Sequence, residues 1–150
     1  MGDPRSRELE LQSSTAVELV FSGAVAPPFR VAVPATVYPP REDTELLDSA
    51  LAELRVRPDA RLLEIGCGWG ALAAELAVQG RSVTAISLSE EQLDWARARH
   101  PGVDFRKQDY RDTAGTFEAI VSVEMVEALG REYWPTFMDC IARNLTPGGR

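Results

Sequence analysis

The chain has only two cysteines and one histidine in 150 residues, too few and too scattered for a structural metal site or a disulfide framework. Cys67 and Cys140 are therefore read as free thiols. His100 stands before Pro101 at the end of a helical segment and is not read as catalytic. No stretch approaches the roughly 18 uninterrupted apolar residues of a membrane span, and residues 1–10 are polar and charged rather than signal-like, so a cytoplasmic chain with no transmembrane segment is expected. Basic residues are in the minority, 16 Lys and Arg against 23 Asp and Glu, with a formal charge of −7. That balance argues against broad electrostatic attraction to nucleic acid or anionic lipid, and no nucleic-acid partner is expected. Internal repeats and low-complexity tracts are also missing.

What is present is one concentrated motif. Residues 61–70 read R-L-L-E-I-G-C-G-W-G, a short apolar run followed by three alternating glycines and a helix-like segment. This is the pattern of a strand, a tight ligand-sized turn and a helix. Gly66 and Gly68 let the main chain turn sharply and approach a ligand closely, and N–H groups at the start of the helix point at that ligand. Glu64 lies two residues before the first glycine, at the carboxyl end of the strand, where a doubly wound fold places its ligand crevice. The loose dinucleotide fingerprint G-x-G-x-x-A is satisfied by Gly66, Gly68 and Ala71, yet the acid that should follow about 20 residues later is missing, because the second strand ends in Ile86-Ser87-Leu88. A negative charge before the turn and none after the second strand fit the cationic S-adenosylmethionine better than NAD.

The remaining segments alternate. An amphipathic helix is expected over residues 43–54, with Asp43 as N-cap and Leu46, Leu47, Ala50, Leu51 and Leu54 on its apolar face. Strand one is Arg61–Ile65, followed by a helix over 69–79 and strand two over 82–88. Ser89 and Gln92 then form a capping-box pattern that opens a helix ending at Arg99. Strand three covers 103–105, and strand four covers 117–123, an apolar run typical of a strand buried on both faces. A broad helical stripe over 131–145 is closed by Thr146-Pro147-Gly148-Gly149. Residues 8–21 are read as helix, 29–33 as an edge strand, and residues 1–42 as an N-terminal arm. The fold class expected is α/β, with a Rossmann-like parallel sheet in the order 3-2-1-4 over residues 43–150.

Residues 59–149 resemble class I S-adenosylmethionine-dependent methyltransferases, and within them the cyclopropane-fatty-acyl-phospholipid synthase-like branch. Four stretches carry the likeness: L-L-E-I-G-C-G-W-G at 62–70, A-I-S-L-S-E-E-Q at 85–92, D-Y-R-D at 109–112 and I-V-S-V-E-M-V-E-A-L-G at 120–130. The lead-in at 37–47 looks instead like small amino-group or RNA methylases, but S-V-E-M replaces their N-P-P-Y. The resemblance implies that Glu64, Gly66 and Gly68, with Cys67 between them, meet the methionine part of the cofactor. It further implies that Gln92 holds the ribose, and that Asp109 and Tyr110 flank the adenine. In that branch an alkene attacks the methyl group and the cation formed loses a proton to bicarbonate held partly by a glutamate, which Glu127 matches. A solvated carboxylate at a helix start is the plain alternative for Glu127, and the capping box alone for Gln92.

The chain departs from the branch in lacking its cysteine ahead of the first motif, and it stops at Arg150, where a fifth strand is expected, so the sheet is expected to be truncated there. Three functions follow: a methyltransferase acting on a lipid or small organic acceptor, a cofactor-binding module without turnover, or an NAD(P)-binding oxidoreductase domain. With strand five absent, strand four is expected to expose an unpaired edge through which chains self-associate, unless strand 29–33 fills it.

Overall fold

The computed structural model describes residues 46, 49, 50, 52, 53 and 55–150, together with the backbone of 17–21 and 29–33. Val17–Phe21 (β1) and Phe29–Val33 (β2) pair antiparallel, with Val17 opposite Val33 and Phe21 opposite Phe29. The helix expected over 8–21 is thus a strand in its second half. V-E-L-V-F is rich in β-branched and aromatic residues, and pairing with F-R-V-A-V supplies backbone bonds that a short helix end would lack. Residues 8–16 lie outside the described residues. The strand expected at 29–33 is present, paired to β1 rather than to the larger sheet.

The larger sheet has four parallel strands: β3 (Arg61–Ile65), β4 (Ser82–Ser87), β5 (Asp104–Lys107) and β6 (Ala119–Ser122), in the order β5-β4-β3-β6. This is the expected order, with β3 central and registered to both neighbours, Glu64 standing opposite Ala85 and Val121. Helix α1 (Ala71–Val78) joins β3 to β4, α2 (Glu90–Arg99) joins β4 to β5, and α3 (Trp134–Asn144) follows β6. One core lies under α1 and α2, where Leu62, Val83, Ala85 and Val121 meet Leu72, Leu76, Leu93 and Ala96. The other lies under α3, where Leu63, Ile65, Ile86 and Phe117 meet Phe137 and Cys140. Each fully buried Leu or Phe contributes about 1.5–3 kcal/mol. No helix among the described residues is long and apolar enough to cross a membrane.

Boundaries shift where side chains take over from propensity. α1 begins at Ala71 rather than at 69, because Gly68 and Gly70 have positive φ and Trp69 sits in the turn between them. Leu46, Ser49, Ala50, Ala52 and Glu53 are helical, as the sequence predicts, but Leu46, expected on the apolar face, is 71% exposed. A 3-10 turn, Arg131–Tyr133, precedes α3, and the Trp134 indole N–H bonds the Val126 carbonyl at 2.9 Å.

The outer edge of β6 carries bonds that the sequence reading left unmade. Phe117 N–H donates to the Asn144 carbonyl, Thr146 N–H to Phe117, Arg150 N–H to Glu118, and Ile120 N–H to Arg150, at 2.9–3.0 Å. The last residue therefore runs parallel to β6 and takes up part of the expected free edge.

Gly70 shows how tightly the sheet and helices close. Its φ is 77°, and a Cβ there would stand 2.6 Å from Phe105 Cζ and 3.2 Å from Ala96 Cβ. Gly70→Ala should cost at least about 2 kcal/mol in urea unfolding, from left-handed strain and overpacking together. Gly102→Ala, with nothing within 4 Å of its Cβ position, should stay within about 0.5 kcal/mol of the parent.

Candidate cofactor-binding site

β3 delivers the chain into the turn at Gly66. The N–H groups of Gly66 and Cys67 both bond the Ile86 carbonyl of β4, at 2.9 and 3.1 Å, and Gly70 N–H closes the turn on the Cys67 carbonyl at 2.8 Å. A Cβ on Gly66 would lie 2.8 Å from Met125 Sδ, so the start of the turn is packed against the loop after β6. Gly68 differs: nothing lies within 4 Å of its Cβ position. Among the described residues, the N–H groups of Gly68 and Trp69 make no hydrogen bond. This is an open stretch of backbone with free donors, as a closely approaching ligand requires.

Glu64 faces α1 from beneath. It is 5% exposed, accepts from the Ala73 N–H near the start of α1, and leaves Oε2 buried without a partner among the described residues. Burial raises its pKa from the ordinary 4.5 to about 8, with the Ala73 bond pulling the other way. A buried carboxyl with one idle oxygen at a turn of free donors suits a ligand that brings a positive charge to the acid. Cys67 is buried beside it; burial first, and the Glu64 charge next, push its thiol up to about 12, so it is an inert packing residue at neutral pH.

A cleft of about 420 Å³ opens at the carboxyl ends of the strands, lined by residues including Gly66, Ser87, Asp109, Tyr110, Met125 and Leu129. Three of the residues singled out in the sequence, Gly66, Asp109 and Tyr110, meet there, whereas Glu64, Cys67, Gly68, Gln92 and Glu127 do not line it. Asp109 caps the 3-10 turn Tyr110–Asp112. Its Oδ1 accepts from Arg111 N–H and Nε, both at 2.9 Å, and its Oδ2 from Arg111 Nη2 at 2.5 Å. The Arg111 guanidinium holds the Asp109 carboxyl below the usual carboxylate range. One lone-pair direction on Oδ2 remains for a further donor. The Tyr110 ring is buried, edge-on to Phe137 with centroids 5.2 Å apart.

Residues that the sequence reading passed over hold this rim in place. Asn144, 1% exposed, donates from its side-chain amide to the Thr113 carbonyl at 3.2 Å and the Cys140 carbonyl at 2.8 Å. The Cys140 thiol donates to the Tyr110 carbonyl at 3.0 Å, and Arg143 Nη2 to the Arg111 carbonyl at 2.6 Å. Their spacing on α3 is helical, but nothing local in the sequence says which loop they reach.

The capping box is only half realised. Gln92 N–H bonds Ser89 Oγ at 3.4 Å, but Ser89 N–H bonds Ser87 Oγ at 3.2 Å instead of the Gln92 side chain. Among the described residues the Gln92 amide has no hydrogen bond, so capping is not its occupation. Glu127 is exposed on the turn after Met125, without a hydrogen bond or ion pair among the described residues. Such a carboxylate could take bicarbonate only through the anion's own O–H.

Glu64 makes stability depend on pH. Between pH 4.5 and about 8 the unfolded chain ionises this carboxyl while the fold keeps it protonated, so the unfolded state binds fewer protons and stability falls as pH rises through that window. Glu64→Gln should remove this slope. Its urea stability relative to the parent should rise by up to about 4 kcal/mol between pH 5 and pH 8, and a difference constant with pH would contradict the assignment.

The profile of the mycolic acid cyclopropane synthetases matches residues 42–150. A tuberculostearic acid methyltransferase of Mycobacterium tuberculosis is 36% identical over 109 residues, covering 69% of this chain and 26% of the relative. A cyclopropane-fatty-acyl-phospholipid synthase of Escherichia coli is 41% identical over 100 residues, covering 65% of this chain and 26% of the relative. The chain thus spans about a quarter of the length of these relatives. Among solved structures, a TehB-like SAM-dependent methyltransferase of Corynebacterium glutamicum aligns with a TM-score of 0.60 at 25% identity, over 67% of this chain and 57% of that one. A magnesium protoporphyrin IX methyltransferase of Synechocystis, solved with bound SAH, shares the fold at 20% identity, with a TM-score of 0.62 over 69% of this chain and 52% of that one. With the profile spanning the whole parallel sheet, the glycine turn and the cleft, this chain belongs to the mycolic acid cyclopropane synthetase family.

Proposed function

We propose that the chain binds S-adenosylmethionine along the Gly66 to Gly70 turn and forms the cofactor half of a methyltransferase acting on a lipid or small organic acceptor. The observation that carries this reading is Glu64, a buried acid with an idle oxygen below a turn whose central N–H groups are free. A dinucleotide would bring negative phosphates to that acid, and the end of β4 offers Ser87 and Leu88 where a ribose-binding carboxylate would be needed.

When bound, S-adenosylmethionine supplies an electrophilic methyl group on a positively charged sulfur that leaves as a neutral thioether. The protein's work is then alignment and proton removal, with no protein nucleophile. Glu64 meets the cationic methionine part, Gly66, Cys67 and Gly68 let it approach the backbone, Gln92 reaches the ribose with its unoccupied amide, and Asp109 and Tyr110 flank the adenine. Glu127 stands on the turn between Met125 and Leu129, both of which line the cleft, and serves the proton-removal step rather than cofactor binding. An apolar acceptor is supported by the cleft wall of Ile65, Ile86, Met125 and Leu129, and by Leu88 and Tyr133, which line it while 66% and 47% exposed. The names of the two curated relatives point the same way.

Calorimetry tests the reading directly. S-adenosylhomocysteine should bind and NAD should not, and Glu64→Ala should weaken binding about 10- to 100-fold. Because the ligand's cation favours ionised Glu64, binding at pH 7 should release about one proton. The apparent enthalpy should then differ between buffers of high and low ionisation enthalpy, and affinity should rise from pH 6 to pH 8. Equal enthalpies in both buffers would remove Glu64 from the site. In a preparation with measurable turnover, Glu127→Gln should lower the maximal rate at least about tenfold with cofactor affinity unchanged. Normal rate with weakened affinity would reverse that role.

A further inference from the structure

The two ends of the glycine turn are held by different forces. At its start, two N–H groups converge on the Ile86 carbonyl of β4. At its far end the backbone bonds are local, Gly70 N–H to the Cys67 carbonyl and Ala74 N–H to the Gly70 carbonyl. The free N–H groups of Gly68 and Trp69 lie between these ends.

Aromatic rings relate the far end to the rest of the fold. The Trp69 ring stands edge-on to Trp95 of α2, with centroids 5.4 Å apart and planes at 86°. Trp95 meets His100 at 6.1 Å, and His100 meets Phe105 of β5 at 6.5 Å. Phe105 then returns to the turn, since its ring edge occupies the space where a Gly70 Cβ would go. Two arginines steady this circuit. The Arg99 guanidinium lies over the Trp95 ring at 4.0 Å, and Arg97 donates from Nε and Nη2 to the Phe105 carbonyl, each at 3.3 Å. Edge-to-face contacts depend on orientation, so they hold a ring's direction as well as bury it.

We propose that Trp95 is a positioning residue for the glycine turn: through Trp69 it fixes the direction of the Gly68 and Trp69 N–H groups, and thereby the affinity of the turn for S-adenosylmethionine. The second part rests on the cofactor reading above; the first does not. Trp95 also packs against the core under α1 and α2, so a purely structural role is the competing account. That account predicts a general loss of stability with no preference for the turn.

Amide exchange in the ligand-free chain separates the two. Gly70 N–H reports the far end of the turn and Gly66 N–H its start. In Trp95→Ala, exchange at Gly70 should accelerate about tenfold relative to Gly66, whereas Trp95→Phe, which retains an edge-on ring, should stay within about twofold of the parent. Trp69→Ala removes the same contact from the turn's side without opening the core and should reproduce the change, which keeps the test decisive if Trp95→Ala does not fold. Leu62→Val trims the same core near the start of β3, at the end of the strand opposite the glycine turn, and should leave the Gly70 to Gly66 ratio unchanged. Titration with S-adenosylhomocysteine should follow the same order, with Trp95→Ala and Trp69→Ala weaker by about three- to tenfold and Trp95→Phe and Leu62→Val near the parent. An unchanged exchange ratio in Trp69→Ala, or an equal change in Leu62→Val, overturns the positioning role. A parent that fails to bind S-adenosylhomocysteine removes the cofactor reading instead, and the exchange ratios alone then decide the role of Trp95.

Discussion

Two N–H groups sharing one carbonyl set the geometry on which the rest of the molecule depends. With Gly66 and Cys67 both bonded to Ile86, the chain cannot continue β3 as a strand and turns back toward β4 while still inside the sheet. Left-handed φ values at the glycines of the turn complete the reversal. α1 is thereby laid back on the sheet against β4, its early N–H at Ala73 reaching down to Glu64. A β-branched or bulky residue at Gly66 would collide with Met125, so the same bonds also set how near the loop after β6 comes to the turn.

Burying an acid at this point has a cost that the fold meets by keeping it protonated. The Glu64 carboxyl has one backbone donor and one idle oxygen, and it sits opposite Ala85 and Val121, both buried and apolar. A hydrophobic residue would pack there without penalty. The acid is intelligible as part of a site whose charge is completed by what binds, and the ligand-free protein then holds a proton in the place of a cation.

Much of this was legible in the sequence because it is local. The glycine spacing, the apolar runs of β3 and β4 and the Ser89 cap each lie within a few residues, and the strand order follows from alternation and the rule for crossovers. What escaped the sequence depends on partners far along the chain. V-E-L-V-F becomes a strand only because F-R-V-A-V pairs with it. Gln92 matches a capping box, yet Ser87 takes the Ser89 N–H first. Asp109 reads as a free acceptor until Arg111 folds back onto it. The free edge of β6 could not be judged without knowing that residues 145–150 run beside it.

Asn144 bonds to two regions of the chain at once. Its carbonyl takes the Phe117 N–H at the approach to β6, and its side-chain amide holds the Thr113 carbonyl beneath the cleft rim. One residue, touching no part of the cleft, thus serves as a hinge pin between the outer side of the sheet and the loop of Asp109 and Tyr110. Through these bonds the backbone beside β6 and the loop of Asp109 and Tyr110 share one anchor.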